Sequence, residues 1–295
     1  MAAVLLVVVF GLSACGTVES IADPDADIPS TRKTDPGPEV LDRPPPVTLH
    51  YGDDSVDLEA YTFCFRNGCA DGAPPTTPPE AGSPDTVGFD FPLDGWSFDA
   101  SFTPTGERCG RVQTVSAQET GQGSFVLAPA GYAGTYDVTL FGQGGGGDLF
   151  TVFRWRTPSD GPLPAPESRL AVLAGHDGEV DSYGVELAVS NLAETPREAT
   201  ATITVTAANG EASTFAATRP PEDCQPTGTV YWDGPDAQGL AAARLGPKPF
   251  TYHVVLTLDG TRHEASARWP RDVIEGNEPS VGLTFSPALP AMRPR

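Results

Sequence analysis

Phe250-Thr251-Tyr252-His253-Val254-Val255-Leu256-Thr257-Leu258-Asp259-Gly260 and the return segment Thr261–Trp269 decide the fold. Phe250, Tyr252, Val254, Leu256 and Leu258 are apolar, and three of the four residues between them are polar. A period of two is that of a strand with one buried face. The Asp259-Gly260 pair reads as a two-residue turn, which fixes the register of the two arms. That register places Val254 opposite Ala265, Tyr252 opposite Ala267 and Phe250 opposite Trp269, all on one face. Small residues facing large ones is how a sheet fills a core.

A second hairpin is predicted around Asn209-Gly210, where Ala201, Ile203, Val205 and Ala207 precede the turn and alternate with threonines. A three-residue loop ending at Glu211 sets Val205 against Phe215 and Ile203 against Ala217. A two-residue loop would turn Phe215 to the wrong face. A strand over 280–285, with Val281, Leu283 and Phe285 facing in, is also predicted. Beyond Pro46 period-two runs and turn residues alternate almost throughout, so the prediction is all-β with no amphipathic helix of useful length.

Thr135-Tyr136-Asp137-Val138-Thr139-Leu140 matches Thr251-Tyr252-His253-Val254-Val255-Leu256 at four of six positions. Each is followed by a glycine-containing turn and a return strand ending in Arg-Trp, at Arg154-Trp155 and Arg268-Trp269. The same hairpin is therefore used twice. Gly134-Thr135-Tyr136, after Pro129 and Gly131, resembles the tyrosine corner that opens strand F of immunoglobulin-like sandwiches. The resemblance implies two tandem immunoglobulin-like β-sandwich domains, at 47–157 and 167–287. Val138 and Val254 stand where antibody domains carry a cysteine, so neither domain is expected to hold the antibody-type disulfide. Between them 158–166 reads as a Pro-rich linker, since Pro158, Gly161, Pro162, Pro164 and Pro166 break strands. Residues 288–295 read as a tail. An inserted loop over 73–84 carries five prolines in twelve residues.

The 295 residues include 18 basic and 39 acidic side chains, a net charge of −21. That excludes a broad phosphate-neutralising surface, so no nucleic-acid partner is expected. Glycine and proline number 32 and 31, below the share at which low complexity becomes the default.

Residues Ala2 to Ala14 are apolar or small apart from Ser13, and they run into Cys15. Thirteen helical residues reach about 20 Å, too short for a hydrocarbon core of about 30 Å. The segment has the composition of a signal-peptide apolar region. Leu12-Ser13-Ala14-Cys15 resembles the lipobox of bacterial lipoproteins. The resemblance implies recognition through Leu12, Ser13 and Ala14, cleavage before Cys15, and a diacylglyceryl group on its thiol. Residues 1–14 would then be the signal peptide and 15–46 an acidic, Pro-rich tether to the outer face of the cell membrane. Asp23, Asp25 and Asp27 do not make a calcium loop, because Ile28 and Thr34 occupy the positions that need Gly and Glu.

Four cysteines remain, and an even number in an exported protein reads as two disulfides. Cys64 and Cys69 flank Phe65-Arg66-Asn67-Gly68, a hairpin loop that brings them within bridging distance. Cys109 and Cys224 would then join the two domains.

Motifs for chemistry are weak. Gly142-Gln143-Gly144-Gly145-Gly146-Gly147 contains a Gly-x-Gly-x-x-Gly pattern, but a strand follows where a dinucleotide site needs a helix. It reads as a flexible hairpin tip. His263-Glu264 lacks the second histidine of a zinc-protease helix, because position 267 is Ala. No metal or other cofactor is expected. Acidic pairs such as Asp177 with Glu179 and Asp181, or Asp233 with Asp236, are numerous enough to arise by chance. Tyr231, Trp232 and Asp233, on a Gly-Pro turn, form the candidate contact patch for a sugar or a protein, with a core role for Trp232 as the alternative. The expectation is a non-enzymatic envelope lipoprotein acting as a binding or structural module for a protein or cell-wall polysaccharide. A glycan hydrolase using paired carboxylates is the alternative, and a calcium-dependent adhesin a third.

Overall fold

In each strand of the Phe250–Trp269 hairpin every second side chain is buried, and the same alternation builds the rest of the chain. A computed structural model describes residues 42–52, 54–220, 224–274 and 280–295. Leu12, Ser13, Ala14, Cys15 and nearly all of the tether lie outside the described residues.

The first sandwich is built from β1 (Val47–Tyr51), β2 (Asp54–Leu58), β3 (Thr62–Phe65), β4 (Gly68–Ala70), β5 (Val87–Asp90), β6 (Ser97–Pro104), β7 (Gln113–Ser116), β8 (Gln118–Gly121), β9 (Ser124–Leu127), β10 (Gly134–Gly144) and β11 (Gly147–Thr157). One sheet has the order β2-β1-β5-β9-β8 and the other β4-β3-β11-β10-β6-β7. The second contains β12 (Glu167–Ala171), β13 (Ala174–His176), β14 (Glu179–Asp181), β15 (Val185–Ser190), β16 (Ala199–Thr206), β17 (Ala212–Ala217), β18 (Val230–Gly234), α1 (Asp236–Ala243), β19 (Phe250–Leu258), β20 (Thr261–Trp269), β21 (Val273–Ile274) and β22 (Ser280–Gly282). Its main sheets have the orders β18-β15-β12-β22-β21 and β17-β16-β19-β20. Without the added edge strands, both reduce to three strands facing four, in the same order. This is the immunoglobulin-like sandwich, and the chain is all-β apart from one short helix. Among the described residues no helix is long and apolar enough to cross a membrane.

Two separate cores result. The first is aromatic: Phe63, Phe89, Phe91, Phe98, Phe102, Phe153 and Trp155 are buried with Val138 and Leu140. The second is mostly aliphatic, with Leu187, Ile203, Val254 and Leu256 packed around Trp232, Phe250, Tyr252 and Trp269. Val281, Leu283 and Phe285 face in as expected, although the strand itself ends at Gly282.

The β19–β20 register is the expected one, with Val254 opposite Ala265, Tyr252 opposite Ala267 and Phe250 opposite Trp269. Elsewhere the structure departs from expectation. In the β16–β17 hairpin Ile203 faces Phe215 and Val205 faces Ser213, two residues from the expected register. The inward faces are preserved because the shift is even. The loop is longer than expected, spanning Ala207–Glu211, whose ends are joined by Ala207 N–H donating to the Glu211 carbonyl at 2.9 Å. Helix α1 was not expected. It follows Pro235, whose fixed φ suits a helix start, and ends in three alanines. Gly239 is required there, since a Cβ would lie 2.1 Å from Ser182 Oγ.

The segments read as a linker and a tail are both docked. Within 158–166, Gly161 donates to the Gly131 carbonyl at 2.7 Å, and Gly131 N–H to the Pro162 carbonyl at 3.1 Å. Within 288–295, Ala193 N–H donates to the Pro290 carbonyl at 2.9 Å, and Met292 is buried. Tyr132 Oη then donates to the Arg293 carbonyl at 2.7 Å, reaching back to the first sandwich. Neither segment forms a strand, yet proline does not prevent an extended chain from docking.

Candidate functional site

Tyr231, Trp232 and Asp233 lie on β18, where alternation sends neighbours to opposite faces. Trp232 is fully buried in the second core. Of the two readings of this segment, the core role of Trp232 is the one observed, and the indole takes no part in a surface patch. Tyr231 and Asp233 face outward, near Glu186, which lies directly across from Asp233. Burial first, then the charges of Glu186 and Asp233, push the Tyr231 phenol well above its usual range.

Other acidic groups are dispersed. Asp177 occupies the turn between β13 and β14 at φ 50°, with Glu179 and Asp181 on β14, while Asp236 begins α1. The histidines are also separate. His50 Nε2 lies 2.8 Å from Asp90, and His253 Nε2 lies 3.6 Å from Glu264. His263 is buried, with Nδ1 donating to the Pro287 carbonyl at 2.8 Å. Among the described residues no group of three His, Cys, Asp or Glu side chains could hold a metal ion.

Cys64 and Cys69 sit directly opposite each other on β3 and β4 and are bridged, with Cα atoms 4.0 Å apart. Cys109 and Cys224 are bridged across 115 residues, which joins the two sandwiches. Beside this bridge Arg111 donates from Nη1 to the Leu192 carbonyl at 2.6 Å and from Nη2 to the Ala193 carbonyl at 2.7 Å. Burial lowers its pKa. Among the described residues no carboxylate pairs with it, and two backbone carbonyls accept from this half-buried guanidinium. Gly228, at φ +79°, is needed beside it, because a Cβ would lie 2.3 Å from Arg111 Nη1.

The glycine-rich segment is paired strand to its end, with Gly144 opposite Gly147. Its glycines make room for neighbours. A Cβ on Gly142 would lie 2.4 Å from the Phe98 ring, one on Gly144 2.6 Å from Trp96, and one on Gly147 1.9 Å from the Cys64 carbonyl oxygen. Only Gly145 faces open space. The run is a packing device for a core crowded with aromatic rings.

The outward aromatic surface lies on the other sandwich. Phe141 of β10 and Phe150 of β11 are directly paired on the outer face, with ring centroids 4.7 Å apart. Tyr61 lies beside Phe150 at 6.5 Å, and burial raises its phenol pKa although a hydrogen bond with Thr139 opposes this. Polar side chains surround the three rings. Ser116 donates to Asp99 at 2.7 Å, and the Ser101 and Thr114 hydroxyls are 2.8 Å apart. Sequence reading missed these rings, yet a signal existed. In Leu140-Phe141 and Leu149-Phe150 the second residue is apolar where the alternation calls for an outward position.

No protein-family model matches the chain, and no curated relative does either. Among solved structures, the chain is similar to the FN1–FN3 domains of chicken CNTN1. The identity is 13%, over 76% of this chain and 90% of that one, with a TM-score of 0.20. The architecture rests on the strand order described above.

Proposed function

We propose that this protein is a non-enzymatic lipoprotein of the cell envelope, held at the membrane through Cys15 and presenting two joined sandwiches as a binding or structural module. The observation that supports this reading most directly is the junction. A disulfide, the Arg111 contacts, a docked linker and residues 290–293 connect the sandwiches, a construction that presents a surface in a set orientation. Both disulfides accord with an oxidising compartment, and Leu12-Ser13-Ala14-Cys15 supplies the means of attachment. Two or more acyl chains, at about 0.8 kcal/mol per buried methylene, hold such a protein on a bilayer. The partner is a protein or a cell-wall glycan.

Fractionation of the wild type against Cys15→Ser tests the anchor. The wild type is expected in the membrane and detergent phases and the variant in the aqueous phase. Equal release of both would overturn the reading.

A further inference from the structure

The chain contains the same four-stranded sheet twice, and its two outer faces differ. In the second sandwich Thr200, Thr202, Thr204 and Thr206 of β16 occupy outward positions. Across from them on β19 are Thr257, Val255, His253 and Thr251. No Phe, Tyr or Trp is among them. A sheet of this kind therefore closes without Phe, Tyr or Trp at these outward positions. On the first sandwich the corresponding face carries Phe141, Phe150 and Tyr61, half-buried against one another. The inward core is already complete beneath them, with Leu140, Leu149 and Phe153 buried.

We propose that this outer face of the first sandwich binds a neutral glycan, with Phe141, Phe150 and Tyr61 stacking on sugar rings. This rests on the reading of the protein as a binding module and names the partner of that module. The C–H faces of a pyranose are apolar while its rim carries hydroxyls, so it calls for ring faces bordered by hydrogen-bonding groups. Both are present. The Phe141 ring is paired across strands with Asp99, whose carboxylate already accepts from Ser116. Ser101, Thr114 and Thr139 lie in the next outward row. Val152, the aliphatic residue in that row, is almost fully covered, so the surround is polar, unlike the apolar centre of a protein interface.

Charge selects among glycans. Two cations lie on this face: Arg154, nearer the rings, is held by Asp137, with Nε donating to Oδ1 at 2.7 Å, and exposed Arg156 lies one outward position further along β11, opposite Thr135. Asp99 and Asp148 add negative charge, and the whole chain carries −21. An acidic polymer is repelled, and a neutral one meets carboxylate acceptors for its hydroxyl protons.

The test is calorimetric or NMR titration of the full-length protein with cello-, malto-, manno- and N-acetylchito-tetraose, with polygalacturonate as the acidic control. At least one neutral tetrasaccharide is expected to bind and to shift the Phe141, Phe150 and Tyr61 ring resonances. Phe150→Ala and Phe141→Ala should each weaken binding about tenfold or more while leaving the thermal midpoint close to wild type. Phe150→Tyr, which keeps a ring, should retain binding. Failure of every neutral tetrasaccharide to bind would overturn the proposal, as would binding undiminished by both alanine variants or a preference for polygalacturonate. A membrane-attached wild type that binds none of these sugars would remove the glycan assignment and leave the anchored-module reading standing.

Discussion

In the first sandwich Tyr136 stands opposite Trp155 and donates its hydroxyl to the Tyr132 carbonyl at 2.6 Å, closing a tyrosine corner. In the second, Phe250 stands opposite Trp269, and Tyr252 lies two residues further along, opposite Ala267. The Tyr252 hydroxyl is buried beside the Leu173 backbone and, among the described residues, has no hydrogen-bond partner of good geometry. The outer edges of the last long strands differ as well. β11 is covered by the disulfide-bridged β3–β4 hairpin and by the Pro-rich insertion, where Arg154 N–H donates to the Pro79 carbonyl at 2.7 Å. β20 is covered by Ser286, which exchanges two backbone bonds with Glu264. One strand order thus tolerates different locks, provided the tyrosine level and the exposed edge are each dealt with.

The two disulfides separate these locks by size. In the chain-entropy picture a bridge across 115 residues contributes about 5 kcal/mol, and one across five residues about 2 kcal/mol. Chemical denaturation of Cys109→Ser/Cys224→Ser should therefore show the larger loss and separate the unfolding of the two sandwiches. Cys64→Ser/Cys69→Ser should lower the stability of the first sandwich alone. A larger loss from the short bridge would mean that covering the β11 edge matters more than loop closure.

The architecture was legible because it depends on a short-range signal. Alternation in Phe250–Leu258 and the Asp259-Gly260 turn set faces and register locally, and Cys64 and Cys69 are opposed by the same local logic. The β16–β17 register was misplaced by two residues because its loop is closed by Ala207 and Glu211, a bond that the Asn-Gly signal does not encode. The repeat located the right hairpin and equated the wrong levels, since matching tyrosines leaves Trp155 and Trp269 at different heights. The glycine run forms the expected hairpin tip, but its packing role was not legible, because what it accommodates, Trp96, Phe98 and Cys64, comes from distant strands. For Trp232 the Gly-Pro pair that follows it left a surface patch and a core role both open, and its position on β18 sends it inward.

The tyrosines give a test in which sign matters more than size. Tyr136→Phe removes a satisfied hydrogen bond and leaves the Tyr132 carbonyl without its donor, so stability should fall by about 1 kcal/mol. Tyr252→Phe removes a buried hydroxyl that lacks a good partner, so stability should rise by about 1 kcal/mol. Paired thermal or denaturant melts would measure both. A loss of equal size in the two variants would show that the Tyr252 hydroxyl is bonded in solution and that the two corners are closer in kind than their geometry indicates.

The smallest effect concerns the ends of the two long hairpins. The first sandwich braces its last strand across the sheet, through Arg154 and Asp137. The second braces its own just beyond the strand, where Arg271 Nε donates to Asp272 Oδ1 at 2.6 Å and Arg268 N–H donates to Oδ2 at 2.7 Å. The Arg271 bond foremost, then the Arg268 backbone N–H, hold the Asp272 carboxyl at about 2. In the unfolded chain it returns to about 3.9. A carboxyl depressed in the folded state adds stability that is fully present above about pH 4 and is lost as pH falls through about 2. Asp272→Ala should therefore lower the thermal midpoint slightly at neutral pH, and the gap from wild type should close between about pH 4 and pH 2. A gap that persists unchanged at pH 2 would assign the effect to the lost side chain and its strand-end packing rather than to its charge.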